Sequence, residues 1–149
     1  MIARIQKAKE SEGFTLIELL VVMIIIGILA AIAIPLFLSQ REKAQDSAAK
    51  ADVSTIGKEI ATYYVDGTGT PSVSINAAGE WELTDGTITT SLGNASTNVA
   101  LKTNVAAGAT ATNWCVAVVN DEGDATTTAS GGASYSATGG LQVGADVDC

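Results

Sequence analysis

The sequence predicts an α+β fold in which a long N-terminal helix packs, through its C-terminal half, against a small antiparallel β-sheet head. Three observations lead there. The run Leu19 to Leu38 is apolar and carries no charged side chain. From Ser39 to about Tyr64, Val53, Ile56, Ile60 and Tyr63 or Tyr64 recur at three- and four-residue spacing, the period of a helix with one buried face. After Asp66 the chain changes to short strand-like segments between glycine, proline and aspartate turn signals.

The segment 1–13 reads as a cytoplasmic leader, with Arg4, Lys7 and Lys9 set against Glu10 and Glu12. Charge alone does not orient the chain, because Arg41, Lys43 and Lys50 stand just past the other end of the apolar run. The two cysteines do, since a cysteine pair is most useful in an oxidising compartment, and the head is therefore expected outside the cell.

As a helix the apolar run is about 30 Å long, the thickness of a bilayer's hydrocarbon core. Glu18 lies just inside the start of this segment with apolar neighbours on both sides. An unpaired ionised carboxylate in lipid costs about 2.5 to 3.5 kcal/mol on insertion scales, so Glu18 belongs near the interface or beside a cation. No basic residue lies between Lys9 and Arg41, so that cation must come from elsewhere. A local reading also fits: Thr15-Leu16-Ile17-Glu18 has the capping-box pattern, in which the glutamate returns to the threonine N–H.

Pro35 lacks an N–H and crowds the Ala31 carbonyl, so the helix is expected to kink or loosen there, and Gly27 lowers helix preference about two turns earlier. Ala31-Ile32-Ala33 also has the small-x-small form of a secretory cleavage site, which would leave Ile34 as the first residue. Against it, the apolar run is too long for an ordinary signal core and continues past that point. Glu42, Asp46, Asp52, Lys58 and Glu59 are expected mostly away from the buried face of the second helical half. A continuous helix from Phe14 to Tyr64 spans about 75 Å, and Asp66-Gly67, Gly69 and Pro71 end it.

Expected strands are Val73 to Asn76, Glu80 to Thr84, Thr87 to Leu92, Asn113 to Asn120, 125–129, Ala133 to Ala137 and Leu141 to Val143. The stretch Gly93 to Ala111 is small and polar and reads as loop. Cys115 and Cys149 are expected to form a disulfide, two free thiols being the alternative for an exported chain. Trp81, Trp114 and Tyr135 read as core or subunit contacts.

The net charge of −8 comes from the head, where Lys102 is the one base after Lys58. Such a surface repels phosphate backbones, so no nucleic-acid partner is expected. Histidine is absent, which removes the commonest general base and the commonest zinc ligand. No catalytic site is legible, so no enzyme activity and no cofactor are expected. Asp121 and Asp124 are acidic enough to suggest calcium, but their offsets do not match an EF-hand loop and a hairpin turn reads better. Asn94-Ala95-Ser96 is a glycosylation sequon by pattern.

Gly13-Phe14-Thr15-Leu16-Ile17-Glu18, the apolar run behind it and the short basic leader before it together resemble the class III signal of type IV pilins and the related pseudopilins. The resemblance covers Met1 to about Tyr64. It implies cleavage between Gly13 and Phe14 by a prepilin peptidase, N-methylation of Phe14, and pairing of Glu18 with the Phe14 amine of a neighbouring subunit. Cleavage creates an α-amino group with an ordinary pKa near 7.7 to 8.0, mostly cationic at neutral pH, and so supplies the missing cation. It also implies that the segment from Gly27 to Pro35 unwinds to make the filament extensible. The expected organisation is a leader at 1–13, an assembly and membrane helix at 14–38, an amphipathic helix at 39–65 and a β-rich head at 66–149. The function implied is that of a major structural subunit of a type IV pilus, a homo-oligomeric filament that leaves the membrane for the cell surface. A separate assembly ATPase and a platform protein are implied as partners. A type II secretion pseudopilin, or a minor pilin acting in adhesion or DNA uptake, shares the same N-terminus.

Overall fold

The computed structural model describes residues 13–123, 132–144 and 149. The expected leader before Gly13, the strand expected at 125–129 and Asp124 lie outside the described residues. The elements in chain order are α1 (Leu16–Asp66), β1 (Ser72–Ile75), β2 (Glu80–Thr84), β3 (Thr89–Asn94), β4 (Val99–Thr103), β5 (Cys115–Asn120), β6 (Gly132–Ser136) and β7 (Gly140–Gly144). The chain divides into two units, Met1–Phe37 and Leu38–Cys149.

In the first unit the helix starts at Leu16 and runs unbroken past Gly27 and Pro35. Its large apolar side chains, from Leu16 to Phe37, are all exposed. This helix is long and apolar enough to cross a membrane.

The second unit holds the rest of α1 and both sheets. Ala49, Val53, Ile56 and Ile60 are buried at three- and four-residue spacing, as the sequence predicts. Gly67 N–H still reaches Tyr63 O at 2.8 Å, and the chain then turns away through Gly69 and Pro71. The strands form two antiparallel sheets, β1-β2-β3 and β4-β5-β6-β7. Val73, Trp81 and Leu83 from the first sheet join Val99, Val116, Val118 and Ala133 from the second in one core with the helix face. Asn104, just beyond β4, joins the sheets: its Oδ1 accepts from Val73 N–H and its Nδ2 donates to Val73 O, both at 2.9 Å. That amide stands where a neighbouring strand would pair with β1.

Two expectations need correction. The stretch Gly93 to Ala111, read as loop, contains β4, which pairs antiparallel with β5. Val99 is buried and Leu101 half-buried, but strand and flanks are so short and small that composition hid the alternation. Asp52, expected away from the buried face, is only 8% exposed and points into the head.

Candidate functional site

The N-terminal determinant is built from Gly13, Phe14, Thr15 and Glu18. Gly13 to Thr15 precede the helix, and Thr15 acts as its N-cap: Thr15 Oγ1 accepts the Glu18 N–H at 3.2 Å, while Thr15 O accepts from Leu19 N–H at 3.2 Å. This is the forward half of a capping box. Its return half, from the Glu18 carboxylate to Thr15 N–H, is not formed among the described residues, which leaves that carboxylate available. Glu18 and Phe14 are both exposed, Phe14 at 82%. Among the described residues Glu18 makes no ion pair. The arrangement is a solvent-facing carboxylate one turn into a helix whose apolar surface this chain leaves open.

Gly27 also lies on that open surface, and a Cβ there would meet no other atom within 4 Å. Packing within one copy therefore does not require glycine at this position. Pro35 sits inside the helix.

The head is tied to the helix at two polar points, and the sequence signalled neither. Asp52 Oδ2 accepts from Trp81 Nε1 at 2.9 Å and from Ser96 N–H at 2.8 Å, and Asp52 Oδ1 accepts from Ser96 Oγ at 2.8 Å. One buried carboxylate thus joins α1 to β2 and to the β3–β4 connection. Trp81 read as a core or subunit contact, and nothing near Asp52 in the sequence pointed to its donors. Ser96, the third residue of the sequon, is engaged in this latch, while Asn94 is exposed at the end of β3.

The second point is the end of β5. Asn120, 1% exposed, donates from Nδ2 to Gln45 Oε1 at 3.1 Å and to Thr97 O at 3.2 Å, and its Oδ1 accepts the Glu122 N–H at 3.0 Å. Glu122 in turn forms an ion pair with Arg41. Gly123 N–H reaches Asn120 O at 3.1 Å, closing a turn over Asp121 and Glu122. Asp121 is exposed in that turn, and among the described residues no group of three or more His, Cys, Asp or Glu side chains is arranged to hold a metal ion. Cys115 and Cys149 are disulfide-bonded with Cα atoms 5.4 Å apart, which pins the C-terminal residue to the start of β5. Trp114 stacks between Tyr64 and Tyr135, with centroids at 6.5 and 5.9 Å, and Trp81 and Trp114 are 2% and 5% exposed, so both indoles are core.

Comparison with known proteins places the N-terminal determinant in context. The family described as the prokaryotic N-terminal methylation motif matches residues 9–34. The type II secretion system core protein G of Pseudomonas aeruginosa is 39% identical over 64 residues, 43% of this chain and 45% of that protein. This chain thus spans about half the length of such secretion-system relatives. The major component of the narrow type IV pilus of Thermus thermophilus is 36% identical over 88 residues, 58% of this chain and 76% of that protein. The major component of the wide type IV pilus of the same organism is 43% identical over 58 residues, 39% of this chain and 44% of that protein. No solved structure matches the chain.

Proposed function

The chain belongs to the type IV pilin family, and from that premise we propose that it is the major structural subunit of a type IV pilus. A prepilin peptidase cuts between Gly13 and Phe14 and N-methylates Phe14. Before assembly the subunit spans the cytoplasmic membrane once with its head outside; afterwards it is part of an extracellular filament. The apolar helices bundle in the filament core, where the exposed surface from Leu16 to Phe37 is covered by other copies. Lipid is about as apolar as that core, so leaving the membrane gains little hydrophobic free energy. Extraction therefore relies on a separate assembly ATPase and platform protein. The pairing of Glu18 with the Phe14 amine of a neighbour supplies the polar contribution that favours the filament. The role is structural, without cofactor or catalysis.

The observation that carries this reading is the extent of the similarity to the narrow-pilus component, 76% of that protein, against 45% for the first of the secretion-system relatives. A short secretion pseudopilus is the second reading, favoured by the number of type II secretion relatives; a minor pilin for adhesion or DNA uptake is a third. Electron microscopy of sheared surface material, with mass spectrometry of its subunit, tests all of this. Long filaments of a subunit beginning at methylated Phe14 are expected. A first residue of Ile34, or a leader retained in assembled fibres, overturns the processing scheme. Glu18→Ala should abolish filaments while leaving the head folded, and normal filament yield from that variant refutes the pairing.

A further inference from the structure

Two open cavities flank the segment that carries the chain from β4 to β5. One, of about 210 Å³, is lined by Asn104, Ala107, Ala109, Trp114 and the Cys115–Cys149 bond. The other, of about 360 Å³, lies between the end of α1 at Tyr64 and the loop residues Ala109, Thr110 and Ala111. Residues 106–113 are thus loosely packed on both sides, with Ala109 shared by the two cavities.

Little holds this loop down. No side chain in 106–113 is larger than asparagine; Ala109 is half-buried and the others are exposed. Among the described residues its hydrogen bonds are all internal: Ala109 N–H donates to Ala106 O at 3.1 Å, and Thr110 and Asn113 exchange backbone bonds at 3.3 and 3.0 Å. A segment with so few apolar contacts and no bond to its surroundings opens locally at low free energy. Its two ends, by contrast, are fixed. Asn104 holds Val73 and also accepts the Val105 N–H at 2.9 Å, with Val105 buried, while Cys115 belongs to β5 and to the disulfide.

Tyr64 supplies a force for opening. Its ring stacks on Trp114, and its hydroxyl is out of reach of solvent with no hydrogen-bond partner among the described residues. That hydroxyl has given up water without replacement, an unfavourable state for a polar group. The same burial pushes its pKa above the ordinary value, and Tyr63 adds to the effect. Lifting the loop returns water to it.

We propose that residues 106–113 form a flap that lifts as one unit between hinges at Asn104 and Cys115, baring the Tyr64–Trp114 stack while both sheets stay folded. The unmet Tyr64 hydroxyl sets how often the flap opens. This device belongs to the head alone and does not rest on the filament reading.

Residue-resolved amide exchange of the full chain in detergent tests it. Ala109 and Thr110 are expected to exchange with little dependence on urea below the unfolding midpoint, because local opening exposes little surface, whereas Val116 and Val118 in β5 respond steeply. Tyr64→Phe removes the unmet hydroxyl and is expected to slow exchange at Ala109 and Thr110 about tenfold. Equal urea dependence in the loop and in β5 overturns the proposal, since the segment then opens only when the whole head unfolds. Unchanged or faster loop exchange in Tyr64→Phe overturns it as well, since the hydroxyl then does not oppose closure.

Discussion

Asp52 shows how much one side chain decides. Burying a carboxylate is unfavourable unless hydrogen bonds replace its water, and here the Trp81 indole, the Ser96 N–H and the Ser96 hydroxyl do so. Removing the acceptor strands the indole N–H and the Ser96 amide. Asp52→Ala is therefore expected to destabilise the head by about 3 kcal/mol, since hydrogen bonds to charged groups contribute about 1.5 to 3 kcal/mol and orphaned donors cost more. Urea unfolding of the full chain in detergent, followed by tryptophan fluorescence, measures this with Trp81 as a reporter at the site. Gly57 makes a related point: a Cβ on it would run into the Tyr135 ring, so only glycine lets β6 approach the helix there. Neither constraint was legible in the sequence, where Asp52 reads as one more polar helix residue and Gly57 as a weak helix former. The motif formed by Gly13, Phe14 and Glu18 could be recognised because its spacing is local, and the structure finds the Glu18 carboxylate exposed.

Among the elements, the β2–β3 hairpin carries its own pH sensitivity. The Asp85 carboxylate accepts the N–H groups of Thr87 and Ile88, both at 2.8 Å, and these bonds hold its pKa below the ordinary value, with the Ile88 bond the larger cause. A carboxyl with a depressed folded pKa binds fewer protons folded than unfolded, so its stabilisation is present above the unfolded value and is lost as pH falls through the folded one. The turn is thus expected to stay closed at neutral pH and to loosen below about pH 3.9. Amide exchange at Thr87 and Ile88 should rise through that window in the native chain and show no such rise in Asp85→Asn. The helix and most strands were readable from periodicity, β2 to the residue. The edge strand β4 was not, since its neighbours from Gly93 to Ala111 are small and its buried side chains are few.

For the whole molecule, covalent closure compensates for a thin core. The buried apolar set is mostly valine and alanine, with Ile56, Ile60, Leu83 and two indoles as the large members. The Cys115–Cys149 bond closes a loop of sequence separation 34. In the chain-entropy description such a loop stabilises the fold by up to about 3.5 to 4 kcal/mol. Reduction, or Cys149→Ser, is expected to lower the urea midpoint of the head by a corresponding amount without altering the helicity of the apolar segment. An unchanged midpoint would show that β5 to β7 hold without the bond.

Hydropathy, charge order and motif spacing along the chain were enough to establish a membrane-length helix, an amphipathic continuation, an acidic strand-rich head and the N-terminal methylation motif. These are properties of neighbours in sequence, set by local geometry and by transfer from water. The division into two sheets, the Asn104 bridge, the buried Asp52 latch and the Arg41–Glu122 tie came only from the folded chain. Their partners lie from about thirty to about eighty residues apart. Whether a polar side chain is exposed or becomes a buried acceptor depends on which donor the tertiary packing brings to it, and one-dimensional periodicity holds no record of that donor.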